Sequence, residues 1–248
     1  MTLPLILFHN QGRGSPVGGG GLSAYEKKVL GYSPIAYWPL KEKAGSVARD
    51  VSGNAFHGAY IAATLGQTGI GDGNTCPLFD GSTSYVDNYS ASLNTAMNKN
   101  KGTLVFWAKV SASGIWSDST ARMGVNFGGT DERIYIGRTA ANGVLQWYRR
   151  GGGTTKAVTI GGYSDTGWMH LALTWDTTAD ELKAYFDGVQ KGSTQTSNAA
   201  WVSALSENLT NIGSQSETPA EPWSGNIAHV ALWTTALSVA QILALVTV

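Results

Sequence analysis

Residues 167–189 read GWMHLALTWDTTADELKAYFDGV, and their alternation marks paired strands. In residues 170–176, Leu171, Leu173 and Trp175 alternate with Ala172 and Thr174, so the large apolar side chains share one face of an extended chain. In residues 182–186, Leu182, Ala184 and Phe186 alternate in the same way with Lys183 and Tyr185. Asp187 and Gly188 then separate this strand from the short segment 189–191, with the chemistry of a two-residue hairpin turn.

The same pattern extends outward in both directions. In residues 103–110, Leu104, Phe106, Ala108 and Val110 form one face while Val105 and Trp107 keep the other largely apolar, so this strand is expected to be covered on both sides. Residues 134–138 and 144–148, separated by TAANG, read as a further hairpin. No long helical stretch separates these hairpins. The predicted fold class is therefore all-β, a two-sheet antiparallel jelly-roll sandwich, and not a parallel α/β sheet. Two short helices are predicted at its ends. Ser23 and Glu26 form a capping box for a helix ending at Gly31, after which Pro34 leads into a strand over residues 35–40. Ser238 and Gln241 cap a final helix over residues 239–246, with Leu237 placed to staple against Ile242.

Composition bounds the class of molecule. The 248 residues, 42% hydrophobic, suffice for one large core. Lys plus Arg and Asp plus Glu both number 17, so no basic footprint argues for nucleic acid or an anionic membrane. Charged residues make up only 14%, beside 32 glycines, 9 tryptophans and 10 tyrosines. Such a surface suits a protein covered by neighbours, as in a homo-oligomer, or one that stacks on sugars; the alternative is a sandwich that uses its aromatics internally. Cys76 stands alone, which excludes an intrachain disulfide and a cysteine metal cluster.

Residues 1–21 differ from the rest. The apolar strip containing Leu3, Leu5, Ile6, Leu7 and Phe8 is followed by HNQGRGSPVGGGG, whose four consecutive glycines are costly to order. The strip has no preceding positive charge and no cleavage pattern, and it is too short to span a bilayer, so neither export nor membrane insertion is expected. The division is thus an N-terminal arm, 1–21, and a sandwich domain, 22–248. The arm either docks on a partner, for example by adding a strand to its sheet, or folds back on its own domain.

Taken in order, SPIAYWPL with RDVSGNAFHG, LFDGSTSYVDN, GWMHLALTWD with LKAYFDGV, and GNIAHVALWTTALS resemble the laminin-G-like, concanavalin-A-like lectin/glucanase superfamily over residues 33–245. The entry VLGYSPIAYWPL after a glycine-rich start also resembles domains of tailed-phage virion proteins. The resemblance implies a jelly roll but leaves function open, because the fold serves enzymes, lectins and virion proteins alike.

Glucanases of this superfamily carry clustered carboxylates, typically Glu-x-Asp-x-Glu on one strand, and no such triplet occurs here. Asp131-Glu132 and Asp180-Glu181 sit in expected turns, and none of the four histidines pairs in sequence with a nucleophile. A non-catalytic protein is therefore expected. Many relatives hold calcium near the loop that corresponds to residues 50–58, which makes Asp50 and Asn54 candidate ligands; the alternative is that both cap turns. Gly225-Asn226-Ile227-Ala228 lacks the aspartate common after Gly-x-Ile, which weakens the metal. Asp80 reads as a turn residue.

Trp38, Trp107, Trp168, Trp175, Trp223 and Trp233 are assigned to packing. Trp116, Trp147 and Trp201, with Tyr148, Tyr163, Arg149 and Arg150, remain for a binding face that stacks on sugars or anchors a partner. Trp116 and Trp201, in loops, are the first choices. The expected function is a non-catalytic virion structural or decoration module, made in a host cytoplasm, bound to capsid or tail proteins through its arm and able to bind glycans. A free lectin is the alternative, and a polysaccharide hydrolase the remote one.

Overall fold

The computed structural model describes residues 21–129 and 131–248. Helix α1 (Ala24–Gly31) leads into β1 (Ala36–Trp38), β2 (Val47–Ala48), β3 (Gly58–Ile61), β4 (Thr64–Thr68), β5 (Thr75–Asp80) and β6 (Tyr85–Asp87). After α2 (Ala91–Ala96) follow β7 (Lys101–Val110), a 3-10 turn at Ser113–Trp116, β8 (Arg122–Gly128), β9 (Arg133–Arg138), β10 (Leu145–Gly151) and β11 (Thr154–Ile160). The chain closes with β12 (Met169–Asp176), β13 (Glu181–Phe186), β14 (Val189–Gln195), β15 (Thr210–Ile212), β16 (Ser224–Trp233) and α3 (Val239–Ala244).

These strands form two sheets of eight. The first runs β14-β13-β12-β7-β16-β5-β4, with β1 also paired to β16; the second runs β11-β10-β9-β8-β15-β6-β3-β2. The strand pairs within them are antiparallel, which makes the molecule the two-sheet sandwich that the alternation predicts. The segment at 167–189 forms its expected hairpin turn at Asp187-Gly188, and Leu171 lies opposite Phe186 and Trp175 opposite Leu182.

The main core lies between the sheets and contains Trp38, Phe79, Phe106, Phe127, Trp147, Leu171, Leu173 and Trp175. A second cluster covers the other face of the first sheet, where Tyr25 and Val29 of α1 and Ile242 of α3 pack on Trp107, Tyr185 and Trp233. This explains why β7 is apolar on both faces: one faces the second sheet and the other the helices. Burying each of these aromatics contributes on the order of 2–3 kcal/mol.

Both predicted caps are present. The Ser23 side chain accepts from Glu26 N–H and the Glu26 carboxylate accepts from Ser23 N–H, and Ser238 and Gln241 repeat the arrangement. Three details differ from expectation. The strand predicted over 35–40 pairs only over Ala36–Trp38, since Leu40 adopts φ 59° and turns the chain. The final helix stops at Ala244, and α2, capped by Ser90, is an element that its weak six-residue pattern conceals. The arm lies outside the described residues except for Gly21.

Candidate functional site

Three loops meet at one rim of the sandwich and enclose a shallow depression of about 540 Å³. Its lining comes from the 3-10 turn (Ser113, Gly114, Trp116, Ser117), the β9–β10 hairpin (Asn142, Gly143) and the segment after β11 (Gly162, Tyr163, Ser164). Gly143 joins them. Its N–H donates to Trp116 O at 2.7 Å, and its carbonyl accepts from Tyr163 N–H at 3.0 Å. Gly143 has φ +63°, and a Cβ there would lie 2.5 Å from Tyr163 O, so a glycine is required. The Trp116 indole donates to Asp165 O at 2.6 Å, and Arg138, buried behind the turn, donates to Trp116 O at 3.0 Å.

Asp118 pairs with both Arg138 at 2.7 Å and Arg122 at 2.5 Å. Burial alone would raise its carboxyl, but hydrogen bonds and charge from the two arginines hold it below the usual range. The depression is therefore preorganised: hydroxyls and an amide surround the Trp116 edge and the half-buried Tyr163, whose ring stacks on Phe186 at 4.6 Å. No charged side chain lines it.

The other expected binding residues are distributed differently. Trp201 is only 2% exposed, because its ring closes the end of the core and its indole donates to Ser203 Oγ; the expectation of a loop-exposed ring is corrected. Trp147 is likewise a core residue. Arg149, 1% exposed, points inward and donates to Ala199 O, Lys99 O and Asn100 Oδ1, so it fastens loops and is not on a binding face. Its neighbours on β10 alternate away from it, and Tyr148 is half-buried on the outer face, stacked on Tyr135 with centroids 4.5 Å apart. Trp116 is also nearly covered, at 3% exposure, but its uncovered edge faces the depression.

The loop at 50–58 does not fit a calcium ion. Asp50 Oδ1 accepts from the N–H of Tyr37 and Ser52, and its Oδ2 accepts from Ser52 Oγ and Phe56 N–H, so its acceptor directions are taken by the protein's own donors. The Asn54 amide donates to Ile35 O. Asn54 lines a second depression, with Phe56 and α2, that contains no carboxylate. Among the described residues no three His, Cys, Asp or Glu side chains converge as metal ligands. Asp80 is a turn residue, accepting from Ser82, Thr83 and Ser84.

The carboxylates considered for catalysis have structural partners. Glu132, 5% exposed, accepts from the N–H groups of Gly152, Val202 and Ser203, and Asp180 accepts from those of Ser197 and Asn198. One histidine does meet a carboxylate. His229, on a bulge of β16 with φ 54°, has Nδ1 2.7 Å from the Tyr37 hydroxyl and Nε2 3.3 Å from Asp72 Oδ2. All three side chains are buried, and Asp72 also accepts from Ser23 Oγ at the N-cap of α1. The relay fastens the helix to the sheet. Tyr37, Asp72 and His229 lie 35 and 157 residues apart in the chain, so no local pattern in the sequence marks the relay.

The model of the concanavalin A-like lectin/glucanases superfamily matches residues 80–243. No curated protein matches the sequence. Among solved structures, the binding domain of botulinum neurotoxin serotype D superposes with a TM-score of 0.65 at 14% identity, covering 90% of this chain and 52% of that one. Domain 4 of AbnA, an extracellular arabinanase of Geobacillus stearothermophilus, in complex with arabinotriose, gives 0.59 at 17% identity, covering 87% of this chain and 98% of that one. Trypanosoma rangeli sialidase in complex with sialic acid gives 0.62 at 16% identity, covering 87% and 33%. This chain thus spans about half of the toxin chain and a third of the sialidase chain. At these identities the similarity is one of fold.

Proposed function

The chain belongs to the concanavalin A-like lectin/glucanases superfamily, and on that premise we propose that it is a non-catalytic saccharide-binding module whose binding site is the rim depression at Trp116 and Tyr163. The observation that carries this reading is the lining. An aromatic edge and a tyrosine ring, ringed by Ser113, Ser117, Ser164 and Asn142 and free of charge, offer apolar contact for a sugar's C–H groups and donors and acceptors for its hydroxyls. The arabinanase domain, which has this fold over nearly its full length and is described with arabinotriose bound, supports the same reading. The structural engagement of Glu132 and Asp180 and the burial of the His229 relay support a role without catalysis.

A second proposal rests on residues 1–21: display of the sandwich on a phage capsid or tail, with the arm as anchor. The two are compatible, since weak sugar contacts gain strength when repeated on a particle.

A screen of neutral glycans on a multivalent display tests the first reading. At least one should be retained, with retention reduced at least about tenfold in Asn142→Ala and Tyr163→Ala, which leave the Trp116 hydrogen bond to Asp165 in place. An empty screen, or retention indifferent to both changes, rejects it. Polysaccharide cleavage abolished by a single carboxylate substitution would reject the non-catalytic part.

A further inference from the structure

The outer face of the second sheet carries two arginines placed directly opposite each other across one strand pair. Arg133 on β9 and Arg150 on β10 are direct cross-strand partners. Like charges placed opposite one another on a sheet are destabilising, and among the described residues no carboxylate forms an ion pair with either arginine. Among the described residues neither arginine forms an ion pair or donates a side-chain hydrogen bond, and the Arg150 Nε is buried without any partner. Glu221 lies within the field of Arg133 but makes no ion pair with it.

The guanidinium of Arg133 is nevertheless held in place. It sits over both Tyr135 and Tyr148, 5.1 and 5.3 Å from their ring centroids, and these rings are themselves stacked at 11°. The tyrosines are fixed in turn: the Tyr135 hydroxyl donates to Gln146 Oε1, and the Tyr148 hydroxyl lies 3.1 Å from Thr155 Oγ1. A rigid aromatic pair thus presents one guanidinium, with a second directly across the ladder and unpartnered. Two such forks match the geometry of a carboxylate or sulfate.

We propose that Arg133 and Arg150, supported by the Tyr135–Tyr148 pair, form a second site on the sheet face that binds the anionic group of an acidic saccharide. The inference builds on the saccharide-binding reading but uses residues separate from the rim depression, so the two can fail independently.

The full chain is tested by affinity electrophoresis against polygalacturonate, heparin and neutral arabinan. Polygalacturonate should retard the protein, less so as salt rises. The double variant Arg133→Ala/Arg150→Ala should lose at least about tenfold in affinity, and Arg150→Lys, which keeps the charge but not the fork, should lose part of it. Retardation by polygalacturonate alone assigns a carboxylate, and retardation by heparin as well assigns an anionic group in general; both uphold the site. The melting temperature of the double variant should be nearly unchanged, because relief of the like-charge pair offsets the lost Arg133 stacking on Tyr135 and Tyr148. Acidic polymers that fail to bind, or that bind the double variant equally well, overturn the proposal, and arabinan binding would still report on the rim depression. A lower melting temperature with unchanged binding would make the arginines structural.

Discussion

His170 lies in the middle of β12 with no exposure, and neither ring nitrogen has a hydrogen-bond partner. Trp107 packs edge-on against it at 5.1 Å. Burial lowers its pKa from 6.5 to about 3. A folded value below the unfolded one means that the neutral ring is tolerated above pH 6.5 and that stability falls as pH drops from there toward 3. At pH 5 the loss is about 2 kcal/mol. His170→Phe should therefore flatten the pH dependence of the urea midpoint between pH 7 and 5; an unaltered slope would refute the assignment. Trp201→Ala should cost about 3–5 kcal/mol without reducing saccharide binding, since the ring fills the end of the core. Both tryptophans favoured from sequence stand in loops, and chain position alone cannot separate them: one loop folds inward over the core, and the other leaves an edge at a depression.

The hairpin between β9 and β10 shows what an element adds. TAANG marks the turn in the sequence, but the same turn sets Tyr135 opposite Tyr148 and brings Gly143 against Trp116 and Tyr163, which are distant in the chain. Gly143→Val should therefore abolish saccharide retention and lower the melting temperature only by several degrees, since valine is strained at φ +63° and its Cβ would clash with Tyr163 O at a rim position. Retention by this variant would separate the depression from binding. Helix α1 behaves in a comparable way. Ser23 was legible as a cap, yet it also donates to Asp72, which lies beside His229. Ser23→Ala should cost about 1–2 kcal/mol in a denaturant titration, near the upper end for a cap because two partners are released.

For the molecule as a whole, acid is the expected denaturant. Burial would raise the carboxyls of Asp72, Asp80, Asp118 and Glu132, but hydrogen bonds from neighbouring backbone and side chains overcome it and hold all four below their usual values. The stability these groups supply is present above about pH 4 and is lost as pH falls through their lower folded values. A melting temperature that stays constant from pH 5 to 2 would contradict this. The proposed assembly is tested by density-gradient fractionation of the native source. The full chain should co-sediment with large particles and a chain lacking residues 1–21 should not; full-length protein found only in the soluble fraction would remove the virion proposal and leave the lectin.

The strands around 103–110, 134–148 and 170–191, both capping boxes and the family were readable in the chain, because alternation at a period of two and an N-cap spaced three residues from its partner are local constraints. Asp80 was readable as a turn residue for the same reason. The directions in which Trp201, Arg149, Arg150 and the Asp50 carboxylate face were not readable, since they depend on which strands and loops become neighbours. That pairing turned Arg149 inward and left Arg150 outward, closed Trp201 into the core, filled the acceptors of Asp50 with backbone N–H groups, and set two arginines side by side on an open sheet.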